Sequence, residues 1–137
     1  MDKKIRFIKT VYWIGAIFDG LMIPPLLSTK IVGVMFRIPN FNPGISFHYA
    51  SAIGAALMAG WTVLLIWAAG NPVERRDIML FTLFPVLTGL TLAGIYPVIH
   101  GMITLGNMVP MWISQGILFI IGITAYLQAR SVSGRFE

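Results

Sequence analysis

Four long apolar runs, separated by short polar segments, constrain the fold of this chain more than any other feature. They cover approximately residues 7–28, 47–69, 78–99 and 109–128. Each run is close to the ~20 residues that an α-helix needs to cross the hydrocarbon core of a bilayer. A helix satisfies its backbone hydrogen bonds within one segment, as the bilayer interior requires. The sequence therefore predicts an all-α four-helix transmembrane bundle, a single integral membrane domain over residues 1–137.

Composition excludes several other classes of protein. Only 11% of the residues are charged and 57% are hydrophobic, whereas soluble domains carry about 25% charged residues. A soluble enzyme domain and a disordered tail are thereby excluded. The absence of cysteine excludes a disulfide scaffold and iron–sulfur clusters. No cleavage site of the signal-peptide type follows the first apolar run, so we expect it to be a retained membrane helix.

The positive charges are distributed unevenly between the apolar runs. Of the 10 Lys and Arg residues, eight fall on one side of a membrane that the four runs cross in alternating directions. Lys30 and Arg37 fall on the other side. Because cytoplasmic segments carry the excess of Lys and Arg, we expect a multi-pass protein of the cell membrane with both termini in the cytoplasm. The eight are Lys3, Lys4, Arg6, Lys9, Arg75, Arg76, Arg130 and Arg135.

The net charge of +5 does not indicate nucleic-acid binding. The chain has no patch that interleaves basic and aromatic residues in the way that binds a nucleic-acid strand. The lipid bilayer is the expected partner, together with a second copy of the chain or a larger membrane complex.

Two further patterns concern helix packing. Apolar residues recur at helical spacing between Lys30 and Ile38, which predicts a short helix lying in the membrane interface between the first two spans. The second run carries two adjacent rows of small residues, a pattern that lets membrane helices approach closely. The rows are Ser51, Ala55 and Ala59, and Ala52, Ala56 and Gly60.

Asp19 is the acid that falls well inside an apolar run. It lies roughly 18 Å from the cytoplasmic edge of the first run at ~1.5 Å per residue, near the middle of the hydrocarbon core. An unpaired charge there costs at least ~2.5 kcal/mol, so we expect the carboxyl group to be neutral, paired or facing water. It is either a ligand-anchoring or proton-relay group, or a hydrogen-bond anchor between helices.

The outer half of the predicted bundle holds other polar candidates. Gln115 and Tyr96 can line a cavity with Asp19 that opens outward, with His48 nearby; the alternative is that they bond helix to helix. His48 and His100 are each about 26 residues from the centre of the second loop and hence at one depth. Two imidazoles at one level can ligate a metal or haem. No ligand spacing supports such a site, so no cofactor is predicted.

Parts of the sequence resemble known membrane proteins. Residues 60–68 (GWTVLLIWA), 72–76 (PVERR) and 11–15 (VYWIG) followed by Asp19 resemble a group of small prokaryotic four-span membrane proteins of uncharacterised function. The likeness covers roughly residues 11–95 and implies no activity. Phe18 and Asp19 with Pro24 are more faintly similar to DoxX-like and EXPERA-type four-helix proteins. In some of these, an acid of the first helix helps to build a ligand cavity. The second run carries no acid, which argues against a sterol-isomerase-like activity.

Three functions are compatible with these features. The small size and the lack of a catalytic motif favour a non-enzymatic oligomeric or accessory subunit of a membrane complex. The first alternative is a protein that binds a lipophilic ligand, such as a lipid, a quinone or a sterol-like molecule, with Asp19 in an outward-facing pocket. The second is an oligomeric proton- or ion-coupled transporter.

Overall fold

Long apolar helices account for most of the chain. The structure, a computed structural model, describes residues 3–134, so that Arg135 of the charge count lies outside the described residues. No strand occurs between residues 3 and 134. Four of the helices are long and apolar enough to cross a membrane. The helices are α1 (Lys3–Leu27), α2 (Thr29–Phe36), α3 (Ile45–Gly70), α4 (Arg76–Ile99) and α5 (Leu105–Ser133).

The prediction of an all-helical fold with four helices long and apolar enough to span a membrane is confirmed for residues 3–134. Each long helix contains one apolar run almost entirely, but begins before it. The largest difference is in α5, which covers Leu105–Ser133 where the apolar run covers 109–128. Apolarity marks only the part of a helix suited to hydrocarbon, whereas backbone hydrogen bonding continues into the polar flanks. A short helix, α2, also occupies most of the predicted stretch 30–38.

Helix α4 is irregular in its middle. A π-helical turn occupies Thr82–Leu87 around Pro85. Pro85 has no N–H to donate, and its ring displaces the carbonyl four residues earlier, which widens the turn. The Thr88 hydroxyl donates to the carbonyl of Leu83, five residues before it, at 3.0 Å. This bond satisfies a carbonyl within the widened turn. The segments of α4 are Arg76–Phe81, Thr82–Leu87, Thr88–Ala93 and, after Gly94, Ile95–Ile99.

The tightest packing lies at one end of the bundle. We call this the basal end; it holds Lys3, the loop 71–75 and Ser133, and the opposite end is the distal end. Helix α1 packs most extensively along α3, and α5 covers α1 and α4. The four long helices meet there in one hydrophobic core of eleven buried residues. These are Ile8, Val11, Tyr12, Ala16, Leu65, Ala68, Ala69, Met79, Leu83, Ala125 and Ala129.

Polar contacts fix the basal loop to this core. The Tyr12 hydroxyl, on a side chain that is 1% exposed, donates to the carbonyl of Arg75 at 2.8 Å. The Arg75 guanidinium lies 3.5 Å from the centre of the Trp67 ring and also donates to the Trp67 carbonyl. Arg75 is therefore a structural cation as well as part of the basal charge.

The outer surface of the bundle is apolar, and the described charged residues other than Asp19 are near its ends. Large side chains such as Leu57 and Ile120 are 70% and 65% exposed, as expected of helices that contact lipid. The described cations of the predicted cytoplasmic group lie at the basal end. Lys30 and Arg37 flank α2 at the distal end.

Candidate functional site

The distal half of the bundle encloses a cavity of about 310 Å³ between all five helices. We call it the central cavity. Its volume lies at the lower end of the ~300–1,000 Å³ range of small-molecule sites. Its wall is mainly apolar, with Asp19, Ser114 and Gln115 as polar members. The other lining residues are Phe18, Met22, Pro25, Leu26, Val32, Met35, Phe36, Gly54, Met58, Leu87, Leu90, Met111 and Leu118.

Asp19 lies in the wall of this cavity. It is about 12 Å from the Leu27 end of α1 at ~1.5 Å per residue. No side-chain hydrogen bond or ion pair joins Asp19 to another residue in the range 3–134. The structure therefore offers no helix-to-helix hydrogen bond at Asp19, which was the structural alternative. The carboxyl group borders on cavity space, where a hydrogen-bond donor of a ligand or a water molecule can reach it.

Gln115 lies in the same wall and is held by α4. The Thr91 hydroxyl is 2.8 Å from Gln115 Oε1 and 2.9 Å from the carbonyl oxygen of Leu87. One hydroxyl proton serves one of these acceptors at a time, and the two ends of the Gln amide can exchange places. In either arrangement Thr91 fixes the side chain and leaves the other end of the amide for the cavity. The sequence-predicted pair Asp19 and Gln115 is thus brought together.

Four methionines from four different places in the chain also line the central cavity: Met22, Met35, Met58 and Met111. They come from α1, α2, α3 and α5. Methionine is flexible and polarizable and adapts its shape to different apolar ligands. Sequence reasoning did not identify these residues as a group, because no spacing along the chain connects them.

A second cavity, the mouth cavity, continues from the central one toward the distal end. Its volume is about 400 Å³. It has α1, α2 and α5 as its walls and adds Arg37, Gly106, Asn107 and Pro110 to the lining. The Asn107 side-chain amide donates to the Phe36 carbonyl at 3.1 Å and so ties α2 to α5. The two cavities share Phe18, Met22, Met35, Phe36, Met111 and Ser114.

Toward the basal end the cavities become smaller. A cavity of about 50 Å³ lies below Asp19 and includes Tyr12, Thr82 and Gly122 in its wall. It shares Phe18, Asp19, Leu87, Leu90 and Leu118 with the central cavity. The core residues Tyr12 and Leu83 form part of its wall. The three cavities thus follow one another along the bundle, with the mouth cavity nearest the distal end, and we call them together the distal pocket.

The remaining candidates from the sequence lie elsewhere. Tyr96 is 64% exposed and stacks on His100 with ring centres 4.1 Å apart. His48 is exposed and packs edge-on against Phe47 at 6.2 Å. The lining of the central cavity does not include Tyr96 or His48. His100 Nδ1 lies 2.9 Å from the Tyr96 carbonyl oxygen, within its own helical turn.

No grouping of acidic, histidine or cysteine side chains suitable for a metal occurs among residues 3–134. This statement concerns clusters of three or more such residues.

Comparison of the chain with protein-family models, curated proteins and solved structures gave no match. The geometry of the distal pocket is therefore the feature that indicates a function.

Proposed function

We propose that this chain is a multi-pass protein of the cell membrane that binds a lipophilic small molecule in its distal pocket. The observation that carries this proposal is the convergence of Asp19 and Gln115 on one otherwise apolar cavity of about 310 Å³. An apolar cavity with a few polar groups is the usual form of a small-molecule site. The ligand would place its apolar body among the methionines and a hydrogen-bonding group at Asp19.

The energetics of Asp19 support this role. An unpaired ionised carboxylate near the middle of a bilayer costs about 2.5–3.5 kcal/mol on the insertion scale. Among the described residues Asp19 has no hydrogen-bond donor to offset that cost. A ligand that donates a hydrogen bond to the carboxyl group would supply the missing partner.

The shape of the pocket favours binding over transport. The cavity volume falls from about 310 Å³ beside Asp19 to about 50 Å³ among the core residues Tyr12 and Leu83. A transporter would require this core to separate during each cycle. A binding protein requires only that the ligand enter and leave at the distal end, which by the charge distribution faces the outside of the cell.

Photochemical labelling tests the proposal. The probe is hexadecanol that carries a diazirine, added to the purified protein in phosphatidylcholine vesicles, with unlabelled hexadecanol as competitor. We expect saturable labelling of peptides that contain Met22 or Met111. Asp19→Asn should weaken binding of the probe about tenfold, because the hydroxyl group of the probe would then donate to a neutral amide and no longer to a carboxylate. Gly54→Phe, which fills the cavity, should abolish the saturable labelling.

Two matched variants provide the controls. Asp77→Asn changes an exposed acid at the basal end, and Gly116→Phe adds the same bulk where nothing lies within 4 Å of the new Cβ. Both should label like the unmodified protein. Labelling that is not saturable, or that survives Gly54→Phe, would show that the cavity does not bind the probe.

A specific observation also favours a second function, self-association. The row Ser51 and Ala55 of α3 is buried, with Ala59 half-buried. The adjacent row Ala52, Ala56 and Gly60 is exposed, and a Cβ at Gly60 would meet nothing within 4 Å. Small residues every four positions on a lipid-facing surface allow a second helix to approach closely. This face would make the chain a homo-oligomer or attach it to a larger complex.

A further inference from the structure

The residue at the entrance of the distal pocket is a cation. Arg37 follows α2 directly and lines the mouth cavity together with Met22, Met35 and Met111. It also lines an open surface hollow that includes Lys30, Asn40 and Asn42. Arg37 is the residue that these two spaces have in common. Its position therefore connects the aqueous surface to the apolar interior of the pocket.

The side chain of Arg37 is available to a ligand. Neither Arg37 nor Lys30 donates a side-chain hydrogen bond or forms an ion pair with a residue in the described range. The guanidinium group presents donors in a fork that matches carboxylate and phosphate oxygens. An anion at the entrance would satisfy these donors without entering the apolar part of the pocket.

The local backbone holds Arg37 in place. Arg37 ends α2 in the left-handed region, at φ 54°, where glycine or asparagine is the usual residue. The Ile38 N–H donates to the Gly33 carbonyl at 2.8 Å, and Asn107 holds the neighbouring Phe36 carbonyl. The turn that carries Arg37 is therefore fixed to both α2 and α5, and the start of the side chain is fixed with it.

The pocket therefore has a cationic side chain at its outer level and an acidic side chain at its inner level. Asp19 borders the central cavity but is not part of the mouth lining, whereas Arg37 borders the mouth cavity but is not part of the central lining. An anionic group would be attracted at the entrance and repelled at the inner level by an ionised Asp19. This arrangement orients an amphipathic molecule with its anionic end outward.

We propose that the ligand is an amphipathic anion whose phosphate or carboxylate group binds Arg37, while its apolar chain occupies the methionine-lined cavity and carries the hydrogen-bonding group that meets Asp19. This inference rests on the proposed function, since it assigns the chemical class of the ligand in the same pocket. The anion can belong to a phospholipid of the surrounding bilayer or to a free single-chain amphiphile. Both share the chemistry that Arg37 recognises.

The test compares two competitors of equal chain length against the diazirine probe in phosphatidylcholine vesicles. 16-Hydroxyhexadecyl phosphate carries the anion at one end of the chain and keeps the hydroxyl group at the other end, whereas hexadecanol carries the hydroxyl group alone. We expect 16-hydroxyhexadecyl phosphate to displace the probe at a concentration about tenfold lower, because it adds one charge-assisted contact at Arg37. The ratio of the two displacing concentrations, that of hexadecanol over that of the phosphate, should fall to about one in Arg37→Gln. Arg37→Lys should keep part of this ratio. Inorganic phosphate, which lacks the chain, should not displace the probe.

Lys30→Gln is the matched control, because Lys30 lines only the surface hollow. It removes the same charge from the same end of the protein and should leave most of the ratio intact. If Lys30→Gln lowered the concentration ratio as much as Arg37→Gln does, the proposal would be overturned. Such a result would show that the anion is attracted by the positive charge of the whole distal surface and not by Arg37. A concentration ratio of one in the unmodified protein would also overturn the proposal of an anionic ligand. If the labelling by the hexadecanol probe were still saturable, the proposed function would remain supported. Absence of saturable labelling would overturn both.

Vesicle composition distinguishes the two sources of the anion. If an anionic phospholipid is the natural occupant, phosphatidylglycerol in the vesicles should compete for Arg37. The concentration of 16-hydroxyhexadecyl phosphate that displaces the probe should then rise in the unmodified protein and stay the same in Arg37→Gln. If the occupant is a free amphiphile, phosphatidylglycerol should have no such effect. The proposal holds in both cases, with the source identified.

Discussion

Gly122 shows how one residue sets the distance between two helices. A Cβ at this position would lie 2.7 Å from Cδ2 of Leu83, which is itself only 2% exposed. The side chain of Leu83 can move a little toward the small cavity of about 50 Å³ beside it, but not far enough for a large residue. We expect Gly122→Leu to lower the free energy of unfolding by about 1–3 kcal/mol through overpacking. The midpoint of thermal unfolding in detergent micelles measures this change.

The same helix provides the control. Gly116 is exposed, and an added Cβ would meet nothing within 4 Å. Gly116→Leu should therefore leave the midpoint unchanged or raise it, since leucine favours helix more than glycine does. In addition, Leu83→Ala should restore part of the stability of Gly122→Leu. Equal effects at positions 116 and 122 would show that α4 and α5 do not meet at Gly122.

At this scale the sequence predicted two polar residues of the pocket, Asp19 and Gln115, but neither its methionines nor Arg37. Asp19 and Gln115 stand out because polar side chains are rare within the apolar runs and their depths are countable along the helices. The four methionines and Arg37 do not stand out in this way. Their convergence depends on how α1, α2, α3 and α5 pack, and single-sequence periodicity contains no information on that packing.

Among the helices, α3 has two faces of small residues with opposite surroundings. Ser51 and Ala55 pack inward, whereas Ala52, Ala56 and Gly60 face outward. We expect Ala56→Leu to weaken self-association by on the order of tenfold, because the larger side chain separates the helix backbones. Single-molecule photobleaching of labelled protein in lipid vesicles measures the fraction of dimers as a function of density.

Ala50→Leu is the comparison for this variant. Ala50 is exposed on α3 but lies on a different side of the helix from Ala56, at ~100° per residue. It should associate like the unmodified protein. If the unmodified protein is a monomer at all densities, or if both variants behave alike, the exposed row is not an interface.

The sequence predicted the existence of the long helices more accurately than their internal form. A run of about twenty apolar residues is a local property that determines a membrane helix by itself. The π-helical turn in α4 is different. A proline such as Pro85 can be accommodated in a membrane helix by a kink, a bulge or a bond from a neighbouring side chain. The choice made here involves Thr88, and also Trp61 of α3, which donates to the Thr82 hydroxyl at 3.2 Å.

For the molecule as a whole, the two ends of the bundle have different roles. The basal end holds the core and most of the positive charge, and the distal end holds the pocket and the cations Lys30 and Arg37. The charge distribution predicts that the basal end is cytoplasmic. The chain contains no cysteine, so single-cysteine variants report on one position each. We expect an impermeant maleimide to label Asn42→Cys in intact cells, and Ser131→Cys only after permeabilisation.

Asn42 and Ser131 are both exposed, so differences in labelling report on the side of the membrane. Labelling of Ser131→Cys alone in intact cells would reverse the orientation and place the pocket toward the cytoplasm. Such a result would leave the geometry of the pocket intact and change the compartment from which its ligand is drawn.

The π-helical turn of α4 also determines how the chain tolerates changes in length. One residue corresponds to a rotation of about 100° around a helix axis and a rise of about 1.5 Å. A π-helical turn contains one more residue than an α-helical turn for nearly the same rotation. Deletion of a single residue within Thr82–Leu87 would therefore give a regular helix in which Met79 stays in the basal core and Thr91 still faces Gln115. Deletion of a residue between this turn and Thr91 would instead turn Thr91 away from Gln115. The π-helical turn is thus the place where α4 can lose one residue and keep the alignment of its two halves.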